Sequence, residues 1–118
     1  PKAAREVLGK PHDSALPAFN MLLSEGFAFR GYIDVFDAGP LVDARIDDIK
    51  SVRESKLYKV KIGEPELGPQ FLIAAGRLST FRVVRSDGIV DGDTITINEE
   101  AARALGAKND DEVRALKW

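Results

Sequence analysis

Ser14–Glu25 ("SALPAFNMLLSE") carries apolar residues at helical spacing between a start signal and a stop signal. Leu16, Phe19, Leu22 and Leu23 fall on one stripe when the segment is wound as a helix. Ser14 is the expected N-cap, because its hydroxyl can accept from the exposed first-turn amides. Pro17 agrees with that choice. With Ser14 as cap it is the third helical residue, where a missing N–H costs nothing. With Asp13 as cap it would sit one place later and lose a helical hydrogen bond. Gly26 supplies the stop. From Leu57 onward the apolar spacing changes to two. Leu57–Ile62, Gln70–Ala75 and Thr80–Arg85 read as strands, punctuated by Gly63-Glu64-Pro65 and Gly68-Pro69. An early helix followed by a β-rich remainder places the chain in the α+β class.

The other segments fit around this frame. Lys2–Val7 reads as the end of an amphipathic segment, and the chain opens on Pro1 instead of methionine. It is therefore expected to begin inside a longer protein. Phe27–Phe36 ("FAFRGYIDVF") reads as a strand, "DAGP" at 37–40 as a turn, and Leu41–Ile46 as a second short strand. Asp47 or Asp48 is a candidate cap for a short helix running through Ser55. The last third reads strand, helix, strand, with Asn98 as N-cap and Gly106 as the stop. A boundary is expected near residues 38–42, separating segment 1–40 from a β-rich module, 41–118.

Composition narrows the function classes. There are no cysteines, which excludes disulfides, thiolate nucleophiles and cysteine-ligated metals. A reducing, cytoplasmic setting is compatible with this. No apolar run is long enough to cross a bilayer as a helix, and no signal-peptide pattern opens the chain, so no membrane partner is expected. The formal net charge is −2, which argues against a surface built for nucleic acid.

The residues "GKPH…PAFNMLLSEGFAFRGYIDVFDAGP…DARIDDIKSVRESKLYKVKIGE" resemble the C-terminal part of the arginine N-succinyltransferases, also described as arginine/ornithine succinyltransferase subunits. The resemblance runs from about Ala4 to Glu64 and more loosely to the end through "FRVV" and "ALGAKNDDEVRAL". It is strongest at "GYIDVFDAGP", 31–40. It implies the C-terminal part of a GCN5-related acyltransferase-like fold followed by a small barrel-like β module. It further implies transfer of succinyl from succinyl-CoA, a co-substrate and not a bound cofactor, to the α-amine of L-arginine or ornithine in arginine catabolism. No metal is implied. Such acyltransferases seat the CoA pyrophosphate on an Arg/Gln-x-x-Gly-x-Gly/Ala loop at a helix N-terminus. The sequence has no such loop, so the acyl-CoA contacts are expected upstream of Pro1. A homo- or hetero-oligomer, or association with that upstream part, follows as the expected assembly.

"GKPHDS" holds the chain's single histidine, His12. Taken alone, a histidine in a polar loop before a helix reads as a solvated loop residue. The resemblance assigns it the catalytic proton-donor role, through the Gly-x-x-His context of Gly9-Lys10-Pro11-His12, although Asp13 follows where relatives often carry proline. The chemistry is coherent. Substrate amine arrives protonated and must lose a proton; the departing thiolate must gain one; imidazole can do both. The positive end of the following helix would favour neutral imidazole, and Asp13 pulls the other way.

Asp34 and Asp37 are candidate substrate-binding carboxylates, since a guanidinium calls for planar carboxylate recognition. Their structural alternatives are an outward strand residue for Asp34 and a turn cap for Asp37. Residues 41–62 hold six Lys/Arg against four Asp/Glu, net +2. A solvated helix face accounts for most of that charge. Within it Arg53 and Ser55 are the candidate substrate-binding pair, on the "VRES" resemblance.

A rival reading belongs to a different class: a non-catalytic binding or assembly module on a small β-barrel. "DTITINEEAARALGAKNDDEVRAL" resembles the swapped-hairpin barrels of bacterial transcription regulators. Residues 86–118 hold eight Asp/Glu and four Lys/Arg, net −4, which disfavours DNA as the partner. Trp118 could anchor an interface between subunits or cover the barrel end.

Overall fold

The computed structural model describes residues 2–65 and 67–118. It is mixed α+β with two separate sheets, and it divides into an N-terminal unit ending at Arg53 and a C-terminal unit, Glu54–Trp118.

In the N-terminal unit, α1 (Lys2–Val7) is followed by a 3-10 turn (Asp13–Ala15) and α2 (Leu16–Ser24). The expected helix is present, but it starts differently. The residue with extended backbone is His12, and its side chain accepts from the Ser14 amide; Ala15, the N-cap of α2, makes no side-chain cap. Ser14 is thus capped and does not cap, and Pro17 falls in the first two positions of α2. The physical reason is reach: an imidazole Nδ1 two residues before Ser14 takes the first free amide and tightens the entry into a 3-10 turn.

The C-terminal end is as read. Gly26 stands at φ +101, its amide donates to Leu23 O and the Phe27 amide to Leu22 O, closing the last turn.

After Gly26 the chain enters β1 (Ala28–Ile33), which pairs antiparallel with β2 (Pro40–Asp43). Both strands are shorter than expected; β1 ends at Ile33 because Asp34 and Asp37 draw the following backbone into a turn, and β2 ends at Asp43. Across the ribbon Arg30 Nε meets Asp43 Oδ1 at 2.7 Å. That hydrogen bond first, and the carboxylate's charge second, raise the Arg30 pKa above its ordinary value. The pair is exposed and adds little stability. A 3-10 turn (Ile46–Asp48) and a short α3 (Lys50–Glu54) replace the single helix expected from Asp47 or Asp48.

Residues 38–42, where a boundary is expected, lie within this ribbon. The division of the chain comes later, between Arg53 and Glu54, because β2 is held to β1 by main-chain pairing.

The C-terminal unit contains β3 (Lys56–Ile62), β4 (Gln70–Ala75), β5 (Arg82–Asp87), β6 (Ile89–Asp91), β7 (Thr94–Ile97), α4 (Glu99–Leu105) and β8 (Glu112–Lys117). They form one six-stranded sheet in the order β5-β4-β8-β3-β7-β6. All pairs are antiparallel except β3 with β7, which is parallel. Asn98 caps α4 through its Oδ1 to the Ala101 amide at 2.8 Å, and Gly106 ends it.

The period-two apolar residues of the strands meet α4 here. Val60, Ile73, Ile95, Ile97 and Val113 are fully enclosed with Ala102 and Leu105. Each such aliphatic side chain contributes about 1.5–3 kcal/mol of burial. Every buried hydrophobic residue among the described ones belongs to this unit. The N-terminal unit instead exposes apolar side chains, with Val35 at 90% and Phe36 at 95% at the ribbon's tip.

Candidate active site

Within the N-terminal unit a cavity of about 830 Å³ opens between the loop after α1, the face of α2 and the turn joining β1 to β2. The volume is in the range of small-molecule sites. Its polar lining is Lys10, His12, Asp13, Asp34 and Asp37; its apolar lining includes Val7, Phe19, Leu22, Leu41 and Val42. The apolar wall is positioned by α2, whose Phe19 packs edge-on against Phe29 of β1, ring centroids 6.3 Å apart and planes at 70°. Such a pair adds about 0.5–1.5 kcal/mol beyond its area.

The loop bearing His12 is tied to the ribbon's turn by main chain. The Gly9 amide donates to Ala38 O at 3.0 Å, and the Lys10 amide to Val7 O at 3.1 Å. A Cβ on Gly9 would stand 3.2 Å from Ile33 Cγ1. This close approach is what brings "GKPH" over "DVFDAG".

The turn is built by its own aspartates. Asp34 Oδ1 accepts from the Phe36 amide at 2.8 Å, and Asp37 Oδ1 accepts from the Gly39 amide at 2.8 Å. The Asp34 amide donates to Gly39 O, and the Ala38 amide to Asp34 O. Asp37 therefore is the turn cap of its structural alternative. Asp34 is a second cap instead of an outward strand residue. Both also line the cavity: one carboxylate oxygen of each serves the turn, and Oδ2 has no hydrogen-bond partner among the described residues.

His12 Nδ1 lies 3.2 Å from the Ser14 amide and 2.8 Å from Ser14 Oγ. A backbone N–H can only donate, so the amide contact favours Nδ1 as acceptor and the neutral tautomer with its proton on Nε2, while the hydroxyl can pair with either tautomer. The Ser14 hydroxyl contact escaped the sequence reading; its only signal was the His-x-Ser spacing, which permits a local side-chain bond.

Among the predicted site residues, His12, Asp34 and Asp37 come together in this cavity. Arg53 lies on α3, exposed, and does not line it. Ser55 belongs to the C-terminal unit, where Arg114 donates to its Oγ at 3.1 Å and to its carbonyl at 3.3 Å. Among the described residues no group of His, Asp or Glu is arranged to hold a metal ion, and no helix is long and apolar enough to cross a membrane.

Comparison with known proteins gives a consistent result. Residues 1–51 match the family described as Arginine N-succinyltransferase beta subunit, and residues 56–117 match the family described as the C-terminal domain of that same beta subunit. The chain is 40% identical over 118 residues to arginine N-succinyltransferase subunit alpha of Pseudomonas aeruginosa, covering 98% of this chain and 35% of that protein. It is 34% identical over 116 residues to arginine N-succinyltransferase of Escherichia coli, covering 97% and 34%. Its fold matches the solved structure of arginine/ornithine succinyltransferase subunit AI from Pseudomonas aeruginosa with a TM-score of 0.86 at 39% identity, over 99% of this chain and 36% of that one. The chain thus spans about a third of the length of the relatives it matches.

Proposed function

The chain belongs to the arginine N-succinyltransferase family, and from that premise we propose that it supplies the proton-transfer and acceptor-binding part of an enzyme that moves succinyl from succinyl-CoA to the α-amine of L-arginine or ornithine in arginine catabolism. The observation that carries this is the grouping of His12, Asp34 and Asp37 around one cavity. The acceptor's guanidinium docks on the outward oxygens of Asp34 and Asp37, and its carbon chain runs along the wall of Phe19 and Leu22. The α-ammonium reaches His12, which takes one proton from it. The freed amine nitrogen attacks the thioester carbonyl, the C–S bond breaks, the CoA thiolate recovers the proton from His12, and the nitrogen's second surplus proton leaves to solvent as the amide forms. No net proton remains on the enzyme.

The rest of the reading follows the family. Succinyl-CoA acts as co-substrate, and its seat is assigned to the part of the relatives that this chain does not match. The N-terminal unit is read as the acceptor-side closure of a GCN5-related acyltransferase-like fold. The C-terminal unit is read as a barrel-like module. What supports the barrel is a connection: β5 and β6 are the two end strands of the sheet, yet only Gly88 separates them in sequence. A sheet whose opposite ends are one residue apart must roll toward closure. The setting is cytoplasmic, and assembly with other subunits is part of the proposal, as the relatives' names carry the word subunit. The non-catalytic barrel module has no observation of its own in favour.

The guanidinium assignment is tested by Asp34→Asn and Asp37→Asn in the intact enzyme. Asparagine keeps the Oδ1 acceptor of each turn bond and replaces the outward oxygen with an NH2 group, removing the charge and the acceptor that face the guanidinium. KM for arginine is expected to rise roughly 10-fold for each change, the loss of one charge-assisted contact, with KM for succinyl-CoA unmoved. Steady-state kinetics with each substrate varied decides it. An unchanged arginine KM in both variants would remove these carboxylates from acceptor binding.

A further inference from the structure

We propose that Ser14 is a positioning residue for His12, its hydroxyl stabilising the Nδ1–H tautomer that proton transfer at Nε2 requires. The inference rests on the catalytic reading of His12. Nδ1 faces two donors of the same residue, the Ser14 amide at 3.2 Å and the Ser14 hydroxyl at 2.8 Å. His12 lines the cavity and Ser14 does not, so Nδ1 is turned to the loop and Nε2 is the atom left for substrate.

The two donors differ in what they permit. A backbone N–H can only donate, so it stabilises a single tautomer, the one with the proton on Nε2. In that tautomer Nε2 has no lone pair for the substrate ammonium. A hydroxyl both donates and accepts. By rotating, Ser14 Oγ can accept from an Nδ1–H and so stabilise the tautomer in which Nε2 is the base. When Nε2 then takes a proton from the α-ammonium, the imidazolium still donates Nδ1–H to Ser14 Oγ. When Nε2 passes that proton to the departing thiolate, the ring returns to the Nδ1–H form. Ser14 gains and loses nothing over this cycle, and the second proton lost by the nitrogen goes to solvent as the amide forms. The amide opposes this cycle at Nδ1 and the hydroxyl relieves that opposition.

The test compares Ser14→Ala, Ser14→Thr and His12→Ala in the intact enzyme, with tautomer populations read by long-range proton–nitrogen NMR of this chain, where His12 is the sole histidine. Ser14→Ala keeps the amide and deletes the hydroxyl. It is expected to lower kcat about 10-fold, with KM for both substrates held within about two-fold. It is also expected to shift the ring further toward the Nε2–H tautomer. Ser14→Thr restores a hydroxyl at the same reach and is expected to recover both readouts. Wild-type kcat and tautomer ratio in Ser14→Ala, alongside an inactive His12→Ala, would overturn the role of Ser14 and leave His12 standing. A fully active His12→Ala would overturn both.

Discussion

Replacing His12 by alanine in the intact enzyme is expected to lower succinyl transfer by at least about 100-fold, the usual contribution of a positioned acid/base group. Affinity for succinyl-CoA is expected to stay within about two-fold, because a group that acts only in proton transfer contributes nothing to ground-state binding of the acyl donor. The separation follows from geometry. His12 shares its cavity with three carboxylates, one lysine and an apolar wall, a net-acidic lining suited to an amino acid bearing a cation and poorly suited to a CoA pyrophosphate. Initial rates give the first quantity and calorimetric titration with succinyl-CoA the second. Turnover at the wild-type level would refute the assigned chemistry. A parallel loss of turnover and succinyl-CoA affinity would move His12 from proton transfer to donor binding.

The period-two segments and the single strong helix were legible because each is a local pattern. Leu57–Ile62 and Gln70–Ala75 emerge as strands with boundaries shifted by one residue at most. Asn98 and Gly106 bracket α4 as read, since capping is decided within four residues. The errors sit where a local contact competed with the pattern. Ser14 has every property of an N-cap, but His12 Nδ1 reached its amide first. Asp34 alternates properly for a strand, yet its carboxylate bonds two residues ahead and ends β1 at Ile33.

Long-range arrangement was the other blind region. Parallel pairing of β3 with β7 joins residues about 35 positions apart, and no periodicity encodes it. The candidate site shows both effects at once. His12 was singled out from chemistry and resemblance. Its meeting with Asp34 and Asp37 depends on one main-chain bond, Gly9 to Ala38, which no side-chain pattern announces. Arg53 and Ser55 were drawn from a resemblance with no physical argument behind it, and neither lines the cavity.

Gly26→Ala is the largest stability loss expected in the N-terminal unit, and it can be separated into two causes. Gly26 sits at φ +101, and a Cβ there would run into the Asp48 carbonyl oxygen, with the Asp48 carbonyl carbon at 3.2 Å. Gly31 sits at φ +86 with nothing within 4 Å of where its Cβ would be. Gly31→Ala therefore measures left-handed strain alone, about 1 kcal/mol. Gly26→Ala adds an overpacking cost of about 1–3 kcal/mol, for roughly 2–4 kcal/mol in all.

The neighbours cannot yield cheaply. The Glu25 carbonyl accepts from the Lys50 amide at 2.7 Å, and Glu25 Oε2 from the Ser51 amide at 3.2 Å, so the chain is pinned beside the clash. Relief must come from displacement of α2, which carries Phe19 and Leu22 to the cavity wall. Amide exchange within α2 should accelerate by roughly 30- to 700-fold in Gly26→Ala, the kinetic equivalent of that loss. Gly31→Ala should leave α2 exchange within a factor of about 10 of wild type. Equal acceleration in the two variants would mean that backbone strain alone is at work and that the Asp48 carbonyl does not hold α2 against the rest of its unit. If the contact is real, Gly26→Ala in the intact enzyme should also raise KM for arginine while Gly31→Ala does not, because only the first moves the wall along which the acceptor's carbon chain lies.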